Sequence, residues 1–192
     1  EWLRYGKQHY PSRICINEYT YRDIYIAVVH VATRLQALSD TRIAIVSNNS
    51  VTMAIYLLAA MLVRKEGLLL NVHLTAGEIK NQLCQLRITT VLHSAKRRTQ
   101  VPASVIAIEF ESVEAMLRDI AEDTFDWTFA EHDIAAIMNT SATTGQFKSV
   151  PLRWGQIKAH VQASQEVLGR TEQDNWLMVL PLFHVSGLSI LM

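Results

Sequence analysis

The sequence predicts an α/β protein, with helices layered on both faces of a largely parallel sheet in an αβα arrangement. Three observations carry this. Short apolar runs alternate with amphipathic helical stretches along the chain. One stretch, Val51 to Val63, is apolar all round, as expected of a helix buried on most sides. Finally, Thr140 to Lys148, rich in hydroxyls and small side chains, directly follows an apolar segment at Ile134–Met138 that reads as a buried strand.

Taken in order, the chain opens at Glu1-Trp2 in what reads as a helix. Arg13 to Thr20 carries Ile14 and Ile16 and a turn at Asn17-Glu18, the pattern of a small hairpin. Thr20, with Asp23 three residues on, is placed to cap a helix that shows Ile24, Ala27, Val28, Val31, Leu35 and Leu38 on one face. Strands are expected at Arg42–Val46 and Gly67–Val72, on either side of the apolar helix starting at Ser50. Thr75 caps a helix with Ile79, Leu83 and Leu86 on its stripe. Thr89–Leu92 and Val105–Ile108 read as further strands, and Val113, Met116, Leu117 and Ile120 as the stripe of the helix after them.

Residues 122–132 break the pattern with acidic residues and three isolated aromatics, Phe125, Trp127 and Phe129. They divide the chain into a first α/β portion (1–121), a connecting loop (122–132) and a last portion (133–192). Aromatics in such a loop need a surface to pack on. A strand at Ser149–Leu152 follows, then a helix with Trp154, Ile157, Val161 and Leu168 on one face, ending near Gly169. An apolar run from Trp176 reads as the closing strand.

Composition narrows the function classes. In 192 residues, 49% are apolar and 19% charged, so there is material for a core and no case for disorder. Eighteen basic residues balance eighteen acidic ones, which argues against nucleic acid as a partner. The one basic cluster, Lys96-Arg97-Arg98, reads as a solvated loop. Cys15 and Cys84 have no metal or redox spacing and are expected as reduced core thiols of a cytoplasmic protein. The run at Val51–Val63, about four helical turns, is too short to cross a bilayer, so no membrane insertion is expected. His9, His30, His73, His93, His132 and His160 are scattered without ligand spacing, and no protein-held metal site is expected. Both ends read as cut, and the chain is expected to be a fragment of a longer protein.

The run Thr140-Ser141-Ala142-Thr143-Thr144-Gly145-Gln146-Phe147-Lys148 offers hydroxyls, backbone N–H groups and one ammonium. Such a loop leaving a strand can surround a polyphosphate. It is neither a Walker loop, which ends in contiguous Gly-Lys-Ser/Thr, nor a dinucleotide fingerprint with three spaced glycines. By itself it is equally the composition of an ordinary solvated turn. A second motif follows, Trp176-Leu177-Met178-Val179-Leu180-Pro181-Leu182-Phe183-His184-Val185-Ser186-Gly187. With no Gly-x-Ser-x-Gly elbow, Ser186 is not supported as a nucleophile.

In this order and at this separation, the two motifs resemble those of the AMP-forming acyl/aryl-CoA synthetases, the adenylate-forming family. That family's loop reads close to Thr-Ser-Gly-Thr-Thr-Gly-x-Pro-Lys, and its next motif close to Leu-Pro-Leu-Phe-His-x-x-Gly. Leu74-Thr75-x-x-Glu78-Ile79 and the Asn175-to-Ser189 wording resemble the branch serving menaquinone synthesis, whose acid is a keto-bearing aromatic dicarboxylate. The resemblance spans nearly the whole chain and is motif-grade only in its last third. Ala142 stands where the family usually has glycine, Phe147 where it has proline, and Asn139 where many members have an aromatic.

The resemblance implies the incomplete N-terminal AMP-binding domain of an ATP-dependent acid–CoA ligase. Its reactants are a small carboxylic acid, ATP with Mg²⁺, and coenzyme A. It implies that Thr140, Ser141, Ala142, Thr143, Thr144, Gly145 and Lys148 hold the ATP phosphates. It implies that His184 orients the acid electrostatically, with Ser186 and Gly187 beside it, Gly187 letting the next helix begin close to the ligand. The family's ribose-binding aspartate, hinge and C-terminal lysine have no counterparts up to Met192, so the 192 residues alone are expected to be inactive. An alternative of a different class is a non-catalytic nucleotide-binding module; another is an acyl/aryl-CoA synthetase for a different acid.

Overall fold

The computed structural model of the chain describes residues 2–140, 147–169, 171 and 173–192. Six strands form one sheet: β3 (Arg42–Val46), β4 (Glu66–Leu69), β5 (Thr90–His93), β6 (Ile106–Glu109), β7 (Ile134–Thr140) and β8 (Lys148–Arg153). Their order is β6-β5-β3-β4-β7-β8, and every neighbouring pair is parallel except β7–β8. A two-stranded ribbon, β1 (Ile14–Ile16) with β2 (Tyr19–Thr20), stands apart and turns at Asn17, which has φ 52°.

Local chemistry fixes the helix starts. α1 (Trp2–His9) is followed by α2 (Tyr21–Gln36), where the Thr20 hydroxyl accepts from the Asp23 N–H and Asp23 accepts back from the Thr20 N–H. α3 (Val51–Leu62) is capped by Ser50, and all of its residues but Thr52 are buried. α4 (Ala76–Leu86) begins with the reciprocal Thr75–Glu78 pair and ends at Arg87 in the left-handed region (φ 56°). A 3₁₀ helix (Ala95–Gln100) and α5 (Val113–Arg118) follow, then α6 (Trp154–Leu168) and α7 (Val185–Leu191).

β4 lies on one side of β3 and β5 on the other, so right-handed crossovers send α3 and α4 to opposite faces. α2 packs against α1, α3 and α5 on the α3 face, and α4 packs against the 3₁₀ helix on the other. The αβα layering expected from the alternating pattern is present. Fully buried Ile43, Ile45, Met53, Ile55, Leu57, Leu68 and Leu70 form the centre of the core.

Residues 122–132 lie between helix and sheet without regular structure, yet they are tied down. Trp127 is buried and stacks on Tyr25 at 5.1 Å, and its indole N–H and the Tyr25 hydroxyl both donate to Asp123. Phe129 stacks on Trp154 at 4.4 Å beneath the Arg64 guanidinium. β7 and β8, beyond this segment, belong to the same sheet as β3–β6.

Four expectations are corrected. The run 176–180 forms no strand: its internal bond is local, from the Val179 N–H to the Leu177 carbonyl, and the sheet ends at β8. Apolar content marks a segment that can pair, but pairing needs a neighbour. Trp176, Leu177 and Val179 are accordingly exposed. Cys84 is exposed, because α4 buries Ile79, Gln82 and Leu83 and turns Cys84 outward. Lys96-Arg97-Arg98 lies in the 3₁₀ helix and not in a loop: Lys96 and Arg98 are exposed, while Arg97 donates to Asn48 Oδ1 from Nε at 2.9 Å. Ile120 lies past the end of α5 and is exposed.

Candidate functional site

β7 carries its buried residues, Ala135 to Met138, between β4 and β8, in parallel register with β4 (Leu68 opposite Ile137, Leu69 opposite Met138). Its carboxyl end therefore emerges at the same edge as the ends of β3, β4 and β5. At this edge an open parallel sheet leaves space for ligands between its loops. β8 then returns antiparallel, with Thr140 and Lys148 as Cα partners, so the hydroxyl-rich run is the connection of a hairpin rooted at that edge.

Thr140 and Lys148 are both exposed at the root, and the Thr140 hydroxyl donates to the Lys148 carbonyl oxygen at 3.4 Å. One step inward, Ser149 donates to Asn139 Oδ1 at 2.7 Å, and the Asn139 amide donates to the buried Gln82 of α4. Strand alternation puts Asn139 and Ser149 on the α4 face and Thr140 and Lys148 on the other. This chain of side-chain bonds braces the hairpin root against α4. Ser141, Ala142, Thr143, Thr144 and Gly145, the rest of the expected phosphate-binding set, lie outside the described residues.

The second motif approaches the same edge. Its backbone is held by Asn49, in the loop after β3: the Asn49 amide donates to the Leu180 carbonyl at 2.9 Å and accepts from the Leu182 N–H at 2.9 Å. Leu182 and Phe183 are buried. His184 directly precedes α7, is exposed, and holds its ring 4.8 Å from that of Phe183; its N–H donates to the Pro181 carbonyl at 3.0 Å.

Gly187 meets a packing requirement. A Cβ there would stand 2.2 Å from the Pro181 carbonyl oxygen and 2.7 Å from that of Leu180. The glycine lets the first turn of α7 press on the backbone of its own motif, and it is buried in doing so. Ser186 is exposed and lines a cavity of about 310 Å³ between α6 and α7, with His160, Leu168, Trp176 and Ser189 on its walls. Nearby, Thr171 donates through both N–H and hydroxyl to Asp174, whose carboxyl is held below its ordinary range by those bonds.

Asn49 and Gln82 were not among the residues the sequence picked out, and Arg97 was singled out only as part of a basic cluster. The partners described above lie 49 to 133 positions away, where no local pattern registers them. Among the described residues, no helix is long and apolar enough to cross a membrane, and no group of three or more His, Cys, Asp or Glu is arranged to hold a metal.

The chain belongs to the AMP-binding enzyme family, whose model matches residues 5–192. Within that family it is similar to the 2-succinylbenzoate–CoA ligase of Lactococcus lactis subsp. lactis (strain IL1403), 43% identical over 194 residues. That alignment covers 100% of this chain and 42% of the relative, so the chain spans less than half of that protein's length. Two solved structures of the o-succinylbenzoate CoA synthetase (MenE) from Bacillus subtilis share the fold. One, in complex with the acyl-adenylate intermediate OSB-AMP, has a TM-score of 0.85 at 29% identity, covering 100% of this chain and 52% of that one. The other, with ATP and magnesium ion, has a TM-score of 0.84 at 29% identity, covering 100% and 53%.

Proposed function

We propose that the intact protein is an AMP-forming acid–CoA ligase that converts 2-succinylbenzoate to 2-succinylbenzoyl-CoA, a step of menaquinone synthesis, and that these 192 residues are the N-terminal part of its nucleotide-binding domain. One observation carries the reading: the hairpin root at Thr140 and Lys148 and the Leu180–His184 segment converge on a single edge of one sheet. An ATP tail and an acid need such a shared edge to meet.

In the first step a carboxylate oxygen of the acid bonds to the α-phosphorus of ATP, and the bond from that phosphorus to the pyrophosphate oxygen breaks. In the second, the CoA thiol sulfur bonds to the acyl carbon, AMP leaves, and the thiol proton is released. Attack of one anion on another requires charge neutralisation. Lys148 supplies a point charge and Thr140 a hydroxyl at the hairpin root, while Ser141, Thr143 and Thr144 add hydroxyls and Gly145 permits close backbone approach. Mg²⁺ keeps much of its water and rides on phosphate oxygens, so it needs few ligands from this chain. His184 is exposed at the start of α7, where it can face the acid's carboxylate, beside Ser186. ATP and CoA as reactants set the enzyme in the cytoplasm.

The test is pyrophosphate release by the intact protein with ATP, Mg²⁺ and CoA against a panel of acids, with the thioester identified by mass. Release that depends on 2-succinylbenzoate supports the reading. Release with another acid alone reassigns the substrate, and no release with any acid overturns it.

A further inference from the structure

Asn49 and the Leu180–Leu182 segment are 131 to 133 positions apart in sequence, yet they pair as two strands would. The side-chain amide offers a donor and an acceptor side by side and meets a carbonyl and an N–H two residues apart, where the backbone bends at Leu180 and turns at Leu182–Phe183. Flipping the amide would set N–H against N–H and carbonyl against carbonyl, so its orientation is fixed. The arrangement completes the hydrogen bonding of a segment that cannot pair normally. Pro181 has no N–H, its carbonyl is taken by the His184 N–H, and Asn49 satisfies the groups on either side.

Asn49 is itself anchored on both flanks. Ser50 caps α3 by accepting from the Met53 N–H at 3.0 Å. Asn48 is gripped by Arg97, and the Ser47 hydroxyl donates to the Asn48 carbonyl at 2.8 Å. From the other side, Gly187 presses α7 onto the Pro181 carbonyl. The segment is held between a braced loop and a helix, and His184 is the first residue to emerge from it.

We infer that Asn49 is a positioning residue for the acid half of the site, fixing the backbone from which His184 projects while leaving the phosphate hairpin untouched. The kinetic consequence rests on the ligase reading; the structural one does not. The hairpin root is braced separately, through Asn139 and Gln82, so loss of Asn49 should divide the two substrates.

The test uses the intact protein with Asn49→Ala and Asn49→Asp, the latter keeping the acceptor and losing the donor. In Asn49→Ala the Leu182 amide is expected to exchange with solvent at least about tenfold faster, with the Met53 amide unchanged. Two lost hydrogen bonds predict a fall in kcat/KM for the acid of roughly ten- to thirtyfold. The KM for ATP is expected to stay within about twofold, since no ATP contact is removed. Asn49→Asp is expected between Ala and wild type in both readouts. Unchanged Leu182 exchange in Asn49→Ala overturns the inference. So does a rise in the ATP KM matching the loss for the acid, or faster exchange without any kinetic change. A general loss of stability would not separate the two substrates. If wild type releases no pyrophosphate with any acid, the ligase reading falls, and the exchange experiment still decides the clamp.

Discussion

Thr140 and Lys148 face one another across the β7–β8 ladder as Cα partners, with the Thr140 hydroxyl 3.4 Å from the Lys148 carbonyl oxygen. The antiparallel pairing of β7 and β8 sets the two residues side by side at the end of the ladder. An ammonium and a hydroxyl thereby stand there, on the face away from the Asn139–Gln82 brace.

On the proposed reading Lys148→Ala removes a charge-assisted contact to phosphate, and Lys148 is exposed, so little packing goes with it. In the intact enzyme it is expected to raise the KM for ATP about ten- to a hundredfold. The urea midpoint should not move. Pyrophosphate-release kinetics and a denaturation curve check both halves.

Gly187→Ala puts a methyl 2.2 Å from the Pro181 carbonyl oxygen, and both partners are backbone, so neither yields cheaply. A loss of about 1–3 kcal/mol is expected from overpacking, read as a lower urea midpoint. Acid-dependent turnover should fall with it, because α7 carries Ser186 and follows His184.

Lys65 is a buried cation whose ammonium donates to the Leu38 carbonyl at 2.7 Å and the Asp40 carbonyl at 2.5 Å, closing the turn between α2 and β3. Lys65→Met keeps the volume and removes the donors. It is expected to cost about 1–3 kcal/mol in urea unfolding.

The two cysteines should separate chemically. Burial pushes the Cys15 thiol from 9.0 up to about 12, whereas Cys84 is exposed. At pH 8 that shift leaves Cys15 with about a thousandfold less thiolate. Iodoacetamide labelling read by mass spectrometry should mark Cys84 and spare Cys15 until denaturant is added. The sign for stability follows: a pKa raised by folding stabilises below pH 9 and is lost as pH rises from there towards 12. Tyr25, raised by burial and then by its bond to Asp123, acts in the same direction above its ordinary value of 10.0.

What sequence reveals here depends on the range of the interaction. The caps at Thr20 and Thr75 were legible because donor and acceptor lie three residues apart. The αβα layering was legible because periodicity is a property of each segment alone. The run at 176–180 was misread because apolar content looks the same whether or not a neighbour exists to pair with. Thr140, Lys148 and His184 could be singled out because their motifs are contiguous. Asn49 could not, since its partners lie 131 and 133 positions away and an asparagine before a helix reads as an ordinary loop residue.

The most direct measurement is a crystal structure of the intact protein with a non-hydrolysable ATP analogue, Mg²⁺ and 2-succinylbenzoate. The β- and γ-phosphates are expected between Thr140 and Lys148, enclosed by the hairpin connection, with the acid's carboxylate towards His184. A triphosphate bound away from that connection would contradict the account.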